Sequence, residues 1–135
     1  LASPAAEQMD QRVRERMGTA SDFTAQDYIH LQWARERLQQ QTADTLGETL
    51  LLFPTTVITA PSIAALEADD ELFKQVNLLT LRNTMLGNYL GTPGVSLKIG
   101  KDGRGLPIGA LVSAAADQDD RLLSVCKAVE AALLG

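Results

Sequence analysis

Apolar and polar positions change period several times along the 135 residues, and each change marks an element. Between residues 5 and 17 the large apolar groups are only Met9, Val13 and Met17. That spacing predicts a first helix, mostly solvated, opened by Ser3-Pro4 as cap and first-turn proline. A break over residues 18–22 follows. Thr24-Ala25-Gln26-Asp27 then reads as a capping signal in which Asp27 reaches back to the first-turn amides. The helix it opens is predicted to run to about Leu46. Tyr28, Leu31, Ala34 and Leu38 form its buried stripe, Arg35, Glu36, Arg37 and the three glutamines face water, and Trp33 lies off the stripe.

Leu50-Leu51-Leu52-Phe53 is a continuous apolar run between Gly47 and Pro54, the pattern of a strand buried on both faces. Residues 57–61 read as extended, because the residue before Pro61 is pushed out of the helical region, and Ser62 as the cap of a short turn through Leu66. Asp69-Asp70-Glu71 place negative charge where a helix dipole favours it. Leu72, Phe73, Val76, Leu79 and Leu86 give the buried side of that helix, or bent pair of helices, which stops near Leu90-Gly91.

The rest of the chain is organised around residues 78–109: a helix that stops at glycine, a turn, and a hairpin. Val95, Leu97 and Ile99 alternate with Ser96 and Lys98, Gly100 to Gly105 form a polar turn, and the next strand returns antiparallel with Pro107 at its start or at an edge. A last helix starts between Asp117 and Asp120 and carries Leu122, Leu123, Val125, Val129, Leu133 and Leu134. The fold class is α/β: a partial mixed β-sheet, made of a buried strand plus an antiparallel hairpin, packed by several α-helices.

Composition narrows the function more than the fold. At this length one domain is expected, burying roughly 65–70% of its unfolded surface, and residues 1–135 are read as a single domain or fragment. With 45% apolar and 21% charged residues the chain is of ordinary globular composition. No apolar run approaches the ~20 residues of a membrane span. A net charge of −5 without basic clusters argues against nucleic acid. Cys126, the only cysteine, sits on an amphipathic pattern as a buried thiol, and with no signal-peptide pattern a cytoplasmic setting is expected. The chain opens on Leu1-Ala2-Ser3-Pro4 rather than methionine, which suggests a piece of something longer.

Candidate chemistry is sparse. His30, the only histidine, has no cysteine or carboxylate at ligand spacing and no serine elbow to partner it. Gly100-Lys101-Asp102-Gly103 leads into a strand rather than a helix N-terminus, so it reads as a hairpin loop and not a phosphate cradle. Asp117, Asp119 and Asp120 suit a helix start better than a cation loop. No cofactor or metal is expected. Arg82, Thr84 and Asn88 are polar groups on an otherwise apolar helix, read as ties from the helix end to the loops at Pro54 and Pro93 in preference to direct substrate contacts.

Three separated pieces resemble the C-terminal part of amidase signature hydrolases. The first is Arg16, then Thr24-Ala25-Gln26-Asp27-Tyr28, then a long helix with Arg35 and Arg37. The second is Leu50-Leu51-Leu52-Phe53-Pro54-Thr55-Thr56 followed by Ala60-Pro61. The third is Leu81-Arg82-Asn83-Thr84, Asn88, Gly91, Pro93, Ser96, Gly105-Leu106-Pro107-Ile108-Gly109 and Asp120-Arg121-Leu122-Leu123. The resemblance implies the C-terminal part of that fold. It also implies an amide hydrolase whose serine nucleophile, second serine in a cis peptide and lysine precede this region, so that this chain is inactive alone. The implied partners are that missing N-terminal catalytic portion and, in the intact protein, a small amide substrate; the sheet neighbours left behind imply self-association. Arg16, Thr55, Arg82, Thr84 and Asn88 become the substrate-pocket or structural candidates. Ala20 and Thr49 depart from the family's usual glycine and aspartate. Leu81 stands where glutamine-using relatives carry an aspartate, which argues against that branch. The alternative is a free-standing binding or oligomerisation module derived from the same family.

Overall fold

The computed structural model describes residues 7–18 and 22–134. Ser3-Pro4 and Ala20 lie outside the described residues. In order, the elements are α1 (Gln11–Gly18), α2 (Ala25–Leu46), β1 (Leu51–Pro54), α3 (Ile63–Ala68), α4 (Asp70–Leu90), β2 (Gly94–Lys101), β3 (Pro107–Ser113) and α5 (Asp119–Leu134). The chain divides into two compact units, Leu1–Glu36 and Arg37–Gly135, with the boundary inside α2, so that Leu38 belongs to the second.

In the first unit the carboxylate of Asp10 accepts from the amides of Arg12 and Val13, so α1 is capped by Asp10. The capping signal of α2 forms as its sequence implies: Asp27 Oδ2 accepts from the Thr24 amide at 2.9 Å and from its hydroxyl at 2.6 Å. These bonds hold the Asp27 carboxyl below its ordinary range. The stripe expected to be buried on α2 is not. Tyr28, Leu31 and Leu38 are exposed, as is Trp33. Periodicity specifies a face; it does not supply the element that covers it.

The second unit holds a three-stranded sheet of order β1-β3-β2 in which both pairings are antiparallel. The α/β class and the hairpin are as read, whereas every pairing among the described strands is antiparallel rather than mixed. β1, expected to be buried on both faces, lies at an edge with Leu52 72% exposed. The reason is cover: α5 packs on β2 and β3, while the main contact of β1 is with β3 alone, so no helix among the described residues lies over the Leu52 face. In β2 the ladder shifts between Lys98 and Gly100, leaving Ile99 as the extra residue of a bulge. Leu97 is therefore buried while Ile99, read from the alternation as its partner on the buried face, is 53% exposed.

α5 packs on β2 and β3, and the core is Leu97, Val112, Ala114, Leu122 and Cys126, with Leu50 and Val95 against it. Leu122 is 1% exposed and its neighbour Leu123 57%, so one face of the helix meets the sheet. Further along α5, Val129 and Leu133 run past the sheet and stay exposed. Burial pushes the Cys126 thiol pKa up. Ser113 is buried with its hydroxyl donating to the Pro93 carbonyl at 2.8 Å, so the strand end is closed without an unpaired polar group.

α3 is capped by Ser62 and α4 by Asp69, whose carboxylate accepts from the amides of Glu71 and Leu72. The two helices pack together. Leu72, Phe73 and Val76 are half-buried, but Leu79 and Leu86, expected on the same buried side, are exposed. α4 is one unbroken helix. It ends where Gly91 takes a left-handed φ of 69° and donates to the Gly87 carbonyl, a conformation that disfavours a side chain.

Candidate functional site

The polar residues of the second unit gather on and beside the sheet. Thr55 follows β1, and its amide donates to the Gly109 carbonyl at 2.9 Å, continuing the ladder by one step. This bond sets the Thr55 side chain on the same sheet face as Gly109. There the Thr55 hydroxyl meets the Ser96 hydroxyl from β2 at 2.6 Å, so the pair spans from one edge strand to the other across the central one. Gly109 makes this geometry available. A Cβ at that position would stand 2.8 Å from each hydroxyl oxygen, closer than packed atoms come.

The end of β1 is fixed from α4. Asn83 donates its side-chain amide to the Pro54 carbonyl at 2.6 Å. The tie to Pro54 expected from Arg82, Thr84 or Asn88 is thus made by Asn83. The hydroxyl of Thr84 turns back to the Leu81 carbonyl at 3.2 Å within its own helix, and Arg82 is exposed. One residue in a helix rotates a side chain by ~100°, so neighbouring polar groups address different surroundings. Asn88 lines an open cleft of about 320 Å³ with Gly87, Gly91, Thr92, Pro93, Asp117 and Asp119.

The hairpin loop is held by Asp102. Its Oδ1 accepts from the amides of Arg104 and Leu106 at 2.8 and 2.9 Å, and its Oδ2 faces Arg104 Nε at 3.3 Å. The Leu106 amide is the chief cause that lowers the Asp102 pKa to about 2. Arg104 in turn donates to the Thr59 hydroxyl at 2.8 Å and to the Ala60 carbonyl, pinning the loop to the extended segment before Pro61. Gly100 and Lys101, read as loop, belong to β2 and pair with Ile108 and Pro107, and the turn is closed between Asp102 and Leu106.

Arg16 lies in the last turn of α1, in the first unit, and is exposed. The structure thus brings Thr55 together with Ser96 and Gly109, sets Arg82, Thr84 and Asn88 along α4 with different surroundings, and leaves Arg16 in the other unit. Sequence reasoning did not single out Asn83, Ser96 and Gly109 as one site with Thr55. Ser96 and Gly109 occur among the family-like motifs, but their juxtaposition depends on the bulge at Ile99. His30 lies beside Trp33 with ring centroids 5.8 Å apart and the ring planes tilted by 41°. No group of three or more metal-ligating side chains occurs among the described residues.

A family model for amidases matches residues 1–123. The chain belongs to the amidase family. Among curated amidase relatives, a fatty acid amide hydrolase of Medicago truncatula is 32% identical over 120 residues, which are 87% of this chain and 20% of that protein. A fatty acid amide hydrolase of Arabidopsis thaliana is 34% identical over 111 residues, 80% of this chain and 18% of that protein. The solved structure of 6-aminohexanoate cyclic dimer hydrolase complexed with substrate matches 98% of this chain and 30% of its own, with a TM-score of 0.74 at 27% identity. This amidase chain therefore spans about a fifth of the length of the curated relatives it matches. No helix among its described residues is long and apolar enough to cross a membrane.

Proposed function

We propose that this chain is the C-terminal portion of an amidase that hydrolyses a carboxamide C–N bond, with its Ser-cisSer-Lys triad in a preceding part of the same polypeptide. The observation that carries the reading is the extent of the match: most of this chain aligns with about a fifth of each amide hydrolase. In the whole enzyme the serine hydroxyl attacks the amide carbonyl, the C–N bond breaks as a proton passes to the departing nitrogen, and water then hydrolyses the acyl-serine ester. Ammonia or an amine and a carboxylic acid are the products.

This portion contributes a wall and its supports. Thr55 acts through Ser96 and Gly109 to hold β1 against the hairpin, and Asn83 sets the end of β1. Arg82 and Asn88, with exposed side chains, are the groups of α4 open to a substrate or to the catalytic portion; Thr84 is turned into its helix, and Arg16 serves the first unit. The setting is cytoplasmic, a reading supported by the free, buried thiol of Cys126. Expressed by itself, the chain self-associates through apolar surface such as Leu52, Leu78 and Leu86.

The test compares this chain with the longer polypeptide of its reading frame, using amine or ammonia release from a panel of carboxamides and labelling by a serine-reactive fluorophosphonate. The longer polypeptide is expected to turn over and to label, and the 135-residue chain to do neither. Turnover by the short chain, or a longer polypeptide inert in both assays, overturns the reading.

A further inference from the structure

Asp102-Gly103 is the only aspartyl-glycyl step in the chain, and it lies in the hairpin loop. Such a step has a reaction of its own. The glycine nitrogen attacks the aspartyl Cγ, and an N–Cγ bond forms as a carboxyl oxygen departs as water with the amide proton and the carboxyl proton. The succinimide ring then takes up water. Breaking the N–Cγ bond restores aspartate, whereas breaking the bond from nitrogen to the main-chain carbonyl carbon leaves an isoaspartyl residue, with the chain routed through Cγ. Water is lost and regained, so no other reactant is needed. Glycine favours the attack because no Cβ shields its nitrogen, and Gly103 is exposed with nothing within 4 Å of where a Cβ would stand.

The folded loop withholds what this reaction needs. Attack requires the peptide plane between Asp102 and Gly103 to turn toward Cγ, and because that unit is planar the Asp102 carbonyl must turn with it. The carbonyl accepts from the Gly105 amide at 2.9 Å, and the Asp102 amide donates to the Leu106 carbonyl at 2.8 Å, so the residue is held on both sides. Its carboxylate is held too, with Oδ1 bonded to the amides of Arg104 and Leu106 and Oδ2 facing Arg104 Nε. Hydrogen bonds to the ionised form favour that form, here with a pKa of about 2. A carboxylate is a far poorer electrophile than the acid it must become. Arg104 ties the whole arrangement to a distant segment, donating to the Thr59 hydroxyl at 2.8 Å and the Ala60 carbonyl at 3.2 Å.

We infer that Asp102-Gly103 is a latent isomerisation site, kept in the aspartyl form by the folded loop and by the anchor of Arg104 on residues 59–60. Conversion inserts a methylene into the backbone between residues 102 and 103 and carries the carboxylate away from the two amides, so the converted loop cannot rebuild its turn or its anchor. The inference is independent of the catalytic reading.

The test ages the native polypeptide at neutral pH, folded and in guanidinium chloride, and measures the isoaspartyl fraction of the endoproteinase Lys-C peptide that begins at Asp102 against synthetic standards. Isoaspartate is expected to accumulate in denaturant, and at least ~10-fold more slowly in the folded protein, where cyclisation waits on local opening. Gly103→Ala is expected to slow the reaction in denaturant, which identifies the attacking nitrogen. Arg104→Ala is expected to raise the folded rate by about three- to tenfold, as charge-assisted bonds at an exposed position are lost. Thr59→Val removes one acceptor, leaves the loop sequence intact and is expected to raise the rate by a smaller factor.

Equal rates in the folded and denatured protein overturn the inference. An Arg104→Ala protein that stays folded and isomerises no faster than the parent overturns the part given to the anchor. If Arg104→Ala does not fold, Thr59→Val decides, and a parental rate there overturns it.

Discussion

The hydroxyls of Thr55 and Ser96 meet at 2.6 Å over Gly109, so two edge strands that do not pair with each other are bonded across the strand between them. Gly109→Ala places a methyl group 2.8 Å from both oxygens and forces the pair apart. The expected loss is ~1–3 kcal/mol, the usual cost of overpacking, and Thr55→Val is expected to lose ~1 kcal/mol with the hydrogen bond. Urea denaturation of each variant checks both values, and a Gly109→Ala protein as stable as the parent would contradict the packing described.

Asn83 and Arg82 are neighbours in sequence with opposite expectations. Asn83→Ala removes the 2.6 Å bond to the Pro54 carbonyl and is expected to cost ~1 kcal/mol. Arg82→Ala, at an exposed position, is expected to stay within ~0.5 kcal/mol. The same denaturation measurement separates them. If Arg82 serves substrate instead, its variant shows that as a raised KM in the longer enzyme with stability unchanged.

On α5, Leu122→Ala is expected to cost ~2–5 kcal/mol, because Leu122 is 1% exposed within the core. Leu123→Ala, at 57% exposure, is expected to fall near neutral. Thermal unfolding of the pair reads this directly. Equal losses would mean that the helix is rotated about its axis from the face described.

Asp102 gives the hairpin a pH dependence of definite sign. Its pKa is lowered to about 2 in the folded chain, from 3.8 ordinarily. A depressed carboxylate contributes stability that is present above its unfolded pKa and lost as pH falls through the folded one. The loop contribution is therefore expected to fade between about pH 4 and 2 and to be constant above that range. A carbon-detected NMR titration of the Asp102 carboxyl checks it; a midpoint in the ordinary carboxylate range would show that the Leu106 and Arg104 bonds do not persist in solution.

The local elements were written in the chain. Thr24 with Asp27, Ser62, Asp69 and Gly91 mark helix ends through bonds or a backbone conformation formed within a few residues, and such signals do not wait for the rest of the fold. The alternation around Leu97 and the turn at Asp102 likewise specified a hairpin. The family-like motifs around Thr55, Arg82 and Gly109 were legible too, and the amidase match agrees with them.

What the sequence could not decide was which surfaces meet. The run Leu50–Phe53 named an apolar strand, yet its place at an edge came from β3 taking the centre of the sheet. The stripe on α2 and the positions Leu79 and Leu86 on α4 were apolar by periodicity and are exposed, since covering them requires a partner element that spacing does not encode. The meeting of Thr55 with Ser96 over Gly109 joins residues 41 positions apart, and the bulge that turns out Ile99 belongs to the register of β2 on β3. Contacts at that separation exist only once the strands are in register, so tertiary structure alone could place them.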